Sequence, residues 1–301
     1  MFGFEREEDQ MGYNKNMTGR IDNHAYVTSS YFDYQSRLTN NIYATLGSRF
    51  DEHKHAGNED SHRVTLAYLF DDKSTKLKSS YGTGFRFPSL YEMFFVYAAN
   101  TKSLSNVKAE NSKSFDIGFE KFLTNLNLEF GATYFNLKYN DVLEGWKTGN
   151  SSGLAYTTQN MPGTVKSQGL EFNSKWTPSN LLNIGVNYTY TSTYDGAEQD
   201  DPDISSSYTN AQMVRVPRHL INIKTNFSLP NYEKLDFTLN TKWSDMARDY
   251  GNGNRTYNDE RIDDYLVNDL IMTYQPWKKY NVFLKITNLL DEKYETARDY
   301  S

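Results

Sequence analysis

Leu182-Asn183-Ile184-Gly185-Val186-Asn187-Tyr188-Thr189-Tyr190 decides the fold class. Its even positions are aliphatic or aromatic and its odd ones are Asn, Gly or Thr, a period of two that an extended strand with two unlike faces produces. The pattern returns along the chain. Leu126, Leu128, Phe130, Ala132 and Tyr134 alternate with Asn127, Glu129, Gly131 and Thr133, and Phe115, Ile117 and Phe119 with Asp116, Gly118 and Glu120. Leu170, Phe172 and Trp176 stand against Glu171, Asn173 and Lys175; Ile42, Ala44 and Leu46 against Thr45, Gly47 and Arg49; Val282, Leu284 and Ile286 against Asn281, Lys285 and Thr287. Roughly thirteen such segments can be marked, most of about ten residues or more, the length with which a tilted strand crosses a bilayer. Soluble strands are nearer five or six residues.

Between these segments the connections alternate in length. Short ones fall at 35–40, 71–74, 123–125, 177–180, 229–233 and 275–279, and long polar ones at 9–22, 86–112, 146–162, 195–216 and 248–262. Tight turns on one rim and long loops on the other mark an outer-membrane barrel, with the turns on the periplasmic side. A soluble sandwich has no reason to segregate them. No fixed-period repeat points to a propeller or solenoid. The best helix signal is Pro88-Ser89-Leu90-Tyr91-Glu92-Met93-Phe94, where Ser89 can cap one short turn inside a long loop.

Composition agrees with this architecture. Tyr (24) and Phe (18) are abundant and Pro (7) is scarce, as strands require. Mean hydropathy is negative, and no stretch approaches the roughly eighteen apolar residues of a membrane-spanning helix. A barrel tolerates this because only alternate positions need be oily. A net charge of −6, without a basic stripe of interleaved aromatics, argues against nucleic acid. The absence of cysteine is compatible with either side of a cell envelope. Met1-Phe2-Gly3-Phe4-Glu5-Arg6 has neither the basic nor the apolar region of a secretory signal, so either the protein stays in the cytoplasm or its true start lies upstream.

Five segments carry a family resemblance. Tyr81-Gly82-Thr83-Gly84-Phe85-Arg86-Phe87-Pro88-Ser89-Leu90-Tyr91-Glu92 resembles the YGTGF-[KR]-x-P-x-LYE signature of TonB-dependent receptors, and Asn106-Val107-Lys108-Ala109-Glu110-Asn111-Ser112 with Gly118 resembles the N-L-K-P-E-x-S segment that follows it. Ser167-Gln168-Gly169-Leu170-Glu171, Arg215-Val216-Pro217-Arg218-His219 and the run Asn288-Leu289-Leu290-Asp291-Glu292-Lys293-Tyr294 are similar to three later motifs of the same family, in the same order. These motifs report fold. Gly82, Gly84, Gly118 and Gly169 suit close strand approach, Pro88 and Pro217 suit strand ends, and Asn288 and Asp291 suit turns.

The resemblance implies an all-β fold: an antiparallel transmembrane β-barrel, partial, with about 13 of ~22 strands and no plug domain. Residues 1–301 would be the C-terminal portion of the barrel, the plug, the partner-binding segment and the last strand lying outside them. It further implies the bacterial outer membrane, no enzymatic activity, no cofactor, and uptake energised by a TonB-ExbB-ExbD complex that engages the region outside this chain. Within the family the closing Asn288 to Thr296 run looks most like cobalamin transporters, with ferric-siderophore receptors next. Haem receptors share a motif near Phe85-Arg86-Phe87-Pro88 but place a histidine after it, and none occurs between Arg86 and Ser112.

Tyr91, Phe94, Phe95 and Tyr97 could grip a large planar ligand, or could serve as an interfacial aromatic girdle or local loop core. Asp200, Asp201 and Asp203 could ligate calcium but lack the glycine-turned spacing of a dedicated loop, so a solvated charge run is the plainer reading. His53 and His55 are expected on one strand face, and two ligands are too few for a metal site. No Ser-His-Asp, HExxH or paired-carboxylate motif supports a barrel enzyme. A passive porin is the competing class; it would need no plug.

Overall fold

The computed structural model describes residues 1–15, 19–94, 107–148, 155–161, 163–196, 212–232, 234–249 and 260–297. One antiparallel sheet of thirteen strands, laid side by side in sequence order, makes up most of it. Its members are β1 (Phe2–Lys15), β2 (Gly19–Arg37), β3 (Ile42–His53), β4 (Gly57–Leu69), β5 (Thr75–Arg86), β6 (Glu110–Leu123), β7 (Leu128–Asn140), β10 (Thr164–Ser179), β11 (Leu182–Asp195), β12 (His219–Ser228), β13 (Leu235–Ser244), β16 (Tyr265–Trp277) and β17 (Tyr280–Ile286). Two small hairpins interrupt the numbering: β8 (Leu143–Thr148) with β9 (Ala155–Asn160), and β14 (Ala247–Asp249) with β15 (Glu260–Ile262). The only α-helix among the described residues, α1 (Leu90–Phe94), lies between β5 and β6.

Register converts the period of two into two continuous faces. On one, Leu77 pairs with Phe119, Phe119 with Ala132, Ala132 with Phe172, and Phe172 with Tyr188. Those side chains are open to the outside: Phe115, Ile117 and Phe119 are each 41% exposed. In water such a surface would be an aggregation hazard; in lipid it is what a wall presents to acyl chains. The opposite face carries Arg49, Asp51, Lys78, Glu120, Asn173 and Asn187 in the alternate positions. Among the described residues the sheet therefore encloses no oily core along its inner face.

Its turns fall on two rims as the alternation required. One rim carries tight connections, of which the 3₁₀ turn Thr124–Leu126 is typical; it closes on Asn127 in the left-handed region at φ 47°. Leu126 thus belongs to a turn and β7 begins at Leu128, a correction to the alternating run drawn through it. The other rim carries the helix and both small hairpins.

A second correction concerns residues 9–22, expected as a long loop. They are mostly strand: β1 and β2 stay in register from Phe2 opposite Phe32 out to Lys15 opposite Gly19. Asp9 and Gln10 read as loop because they lack an oily face, but a hairpin that has risen past the bilayer needs none. Ladder hydrogen bonds hold it together, and Met11 packs against the loop helix.

What buried core exists lies at the loop rim. Ala25, Leu90 and Met93 form one cluster, with Met11 and Phe94 against it; Met161 and Val165 form another, with Val142 and Met213. Pro88 and Ala109 are almost wholly enclosed.

Candidate ligand-binding rim

Where β5 leaves the bilayer, Arg86 begins a network that joins two loops. Its guanidinium donates to both carboxylate oxygens of Glu92 at 2.9 and 3.0 Å and to Glu110, the first residue of β6, at 2.6 Å. Pro88, lacking an N–H, suits the break after the strand. Ser89 then caps α1: its Oγ accepts the Glu92 N–H at 3.2 Å, while the Glu92 carboxylate accepts the Ser89 N–H and hydroxyl, each at 2.8 Å. That reciprocal pair is a capping box, which satisfies donors a short helix would otherwise leave unpaired. Burial works against the Glu92 charge, yet the hydrogen bonds from Arg86 and Ser89 outweigh it and hold the carboxyl below the usual range.

Glu110 also accepts the Leu143 N–H at 2.6 Å, which fastens the β8–β9 hairpin to the same network. Asn160, at the end of β9, exchanges hydrogen bonds with the Lys108 backbone at 2.7 and 2.9 Å and donates to the Asp141 carbonyl at 2.7 Å. On its other side the helix faces the β3–β4 turn. His53 caps that turn by accepting the His55 and Ala56 N–H groups on Nδ1, and its ring lies 4.8 Å from Phe87.

The far side of the rim is tied by Gln212. Its amide accepts from the Thr193 N–H at 2.9 Å and donates to the carbonyls of Thr191 and Val216. Arg215, with φ at 59°, reaches the enclosed Asp249 carboxylate at 2.7 Å and so links this loop to the β14–β15 hairpin. Below the rim, on the polar face, Arg49 donates to Glu5 at 2.9 Å, Asp51 at 2.9 Å and Ser29 at 2.8 Å, and Glu120 takes Lys76 and Lys78. The result is a charged inner wall under a rim of interlocked loops.

Of the aromatic residues proposed from sequence, Tyr91 projects outward at 56% exposure and Phe94 turns half-buried onto the Ala25–Leu90–Met93 cluster, 5.3 Å from the His55 ring. Phe95 and Tyr97 lie outside the described residues, as do Asp200, Asp201 and Asp203. His55 sits in the turn rather than on the strand face shared with His53; its Nε2 meets the His24 carbonyl, and no group of three or more metal-binding residues occurs among the described residues. Sequence reasoning missed Arg86, Glu92, Glu110 and Gln212 as organisers of the rim. The first three stand inside the two adjoining motifs, and opposite charges in both were the available signal; an isolated glutamine gave none.

The model of the TonB dependent receptor-like β-barrel family matches residues 4–289. The chain belongs to that family. Among curated relatives, the vitamin B12 transporter BtuB of Vibrio cholerae is 24% identical over 252 residues, covering 84% of this chain and 36% of the relative. A probable TonB-dependent receptor of Haemophilus influenzae is 24% identical, with 82% and 32% covered. The fold is shared with the ferric enterobactin receptor PfeA of Pseudomonas aeruginosa, at TM-score 0.78 and 20% identity over 96% of this chain and 46% of that one. The pyoverdine receptor FpvA of the same organism gives 0.68 at 17% identity, with 93% and 40% covered. This TonB-dependent receptor chain is thus an outer-membrane barrel wall spanning well under half the length of the relatives it matches.

Each of the five motifs has a structural use in it. Gly169 is the strictest: a Cβ there would lie 1.8 Å from the Tyr190 carbonyl oxygen and 2.8 Å from the Phe135 ring. Asn288 and Asp291 have positive φ, and the Asn288 side chain both accepts from and donates to the Glu292 backbone at 2.9 Å.

Proposed function

We propose that the protein to which this barrel portion belongs is an energy-coupled uptake receptor for cobalamin. Residues 1–301 form the C-terminal part of its wall. The interlocked loop rim captures the ligand, the charged inner face seats a plug, and a TonB-ExbB-ExbD complex working from the periplasm moves that plug through a region outside this chain. The observation that carries the class is the pairing of an oily outer face with an ion-paired inner face beneath tied loops; a passive porin needs an open channel and no such loop framework. The choice of ligand is supported by the sequence likeness to a vitamin B12 transporter. Ferric siderophores are the second reading, supported by the fold shared with PfeA.

Tyr91 offers an exposed ring of the proposed aromatic patch, with Phe94, Phe95 and Tyr97 beside it in sequence. The test uses the full-length receptor in outer-membrane vesicles with labelled cyanocobalamin, competed by ferric enterobactin. Saturable binding that ferric enterobactin leaves intact supports the reading. Competition by ferric enterobactin, with no cyanocobalamin retained, transfers it to the siderophore class. Tyr91→Ala should weaken binding by about tenfold, the effect of removing one aromatic contact of ~1.4 kcal/mol.

A further inference from the structure

Three lysines stand in one row on the outer face of the wall. Lys113 of β6 is paired directly with Lys138 of β7, and Lys138 with Lys166 of β10. All three are exposed, and they share the parity of Phe115 and Ile117, of Tyr134, and of Leu170 and Phe172, so they point to the same side as the oily band.

Their height is set by the ladder. Ten residues separate Leu128, at the foot of β7, from Lys138, or about 33 Å of strand at 3.3 Å each. At the usual tilt of 35–45° that rises about 25 Å, the height of the apolar band, which puts the ammonium groups at its upper edge on the loop side. Below the row come Phe115, Asn136 and Gln168; above it Asn111, Asn140 and Thr164. Thr83 flanks it on β5, and on β11 the Tyr194 ring lies 5.2 Å from the Lys166 ammonium.

Like charges directly opposite on adjacent strands repel. Three lysines of this sheet are neutralised: Lys76 and Lys78 share Glu120, and Lys121 takes Asp72. In the row no ion pair joins any lysine to a carboxylate among the described residues, and Asp60, further along the same face, is held by His62 at 2.6 Å. Three unneutralised cations on strands about 4.8 Å apart, at the depth where lipid headgroups lie, match an anion of more than one charge.

We propose that Lys113, Lys138 and Lys166 form a binding site for the phosphorylated headgroup of an outer-leaflet lipid, with Tyr194 closing one end and the acyl chains running down the Phe115–Ile117–Phe119 and Leu170–Phe172 surface.

The experiment takes full-length receptor in neutral detergent, adds diphosphoryl lipid A, and counts retained lipid by native mass spectrometry. One molecule should be retained. In the K113Q/K138Q/K166Q variant, with unchanged thermal unfolding, retention should fall about a hundredfold, the sum of three lysine contacts at a membrane surface. Lipid A stripped of both phosphates should bind as weakly to the parent as the phosphorylated form does to the variant. Equal retention by parent and variant, or by phosphorylated and stripped lipid, overturns the proposal. So does displacement by equimolar inorganic phosphate, which would make the row a site for a free anion. A variant that fails to assemble is replaced by K138Q alone, for which about a fivefold loss is expected and none is disqualifying.

Discussion

Single residues fix this wall where two backbones or two charges come unusually close. Gly169 lies under the Phe135 ring and against the Tyr190 carbonyl, so any side chain forces β10 and β11 apart. Gly169→Val should lower stability by about 3 kcal/mol, at the upper end for overpacking, read as a lower unfolding temperature in heat-modifiability gels of the full receptor. Gly185, whose Cβ position is open to about 3.9 Å, is the control expected to change little when replaced by Ala. Glu92 tests charge. Its carboxyl is held below the ordinary 4.5 in the folded state, so the stability it lends is complete above that value and is lost as pH falls through the lower, folded one. Glu92→Gln should remove about 1 kcal/mol from the loop helix at neutral pH, by analogy with a lost cap. In hydrogen exchange at pH 7, amides 89–94 of the variant should then be less protected than those of the parent; identical protection in the two proteins would mean that the capping box holds nothing.

At the level of elements, the strands were legible and their decorations were not. Alternation in Leu182 to Tyr190 or Phe115 to Phe119 is enforced by lipid on one side and water on the other, so it survives into the sequence. Above the bilayer that constraint ends. The outer halves of β1 and β2, the hairpins β8–β9 and β14–β15, and the Gln212 tie are held by backbone ladders and scattered polar contacts, which leave no period to read. The site was half visible for the same reason: α1 and its Ser89 cap announced themselves through a capping pattern, whereas Phe94 has the composition of a ligand contact and the surroundings of a core residue. Turns of the opposite rim follow a third logic, of local charge. Asp72 accepts the Ser74 and Thr75 N–H groups, the Thr75 hydroxyl and Lys121, and its carboxyl is held far below the usual range with Lys121 as the first cause. Asp72→Ala should therefore raise hydrogen exchange at Ser74 and Thr75 and leave α1 untouched; protection unchanged at those two amides would show that the β4–β5 ladder suffices without the cap.

Across the whole molecule, the direction of the strands limits how the wall can close. Thirteen antiparallel strands leave β1 and β17 running the same way, each with one edge unpaired among the described residues. An odd number of further strands must lie between them for the ladder to be antiparallel all round, which fits the even strand counts of bacterial barrels. Lipid cannot satisfy the backbone groups of open edges, so residues 1–301 alone should fail to become heat-resistant in bilayers while the full receptor succeeds. The same geometry predicts how the closed wall responds to charge. Ile117 lies near mid-height of β6, between Lys113 at the upper boundary and Leu123 at the lower turn, and its side chain meets lipid. Ile117→Arg in the full receptor should cost about 2–4 kcal/mol, the depth-dependent penalty at a bilayer midplane. Asn111→Arg, on the same face but above the lysine row, should cost less than about 1 kcal/mol, because its depth is interfacial. Urea folding titrations in lipid vesicles measure both. Equal costs at the two depths would mean that the exposed aromatic face is not the lipid face, and the orientation of the barrel wall would have to be reversed.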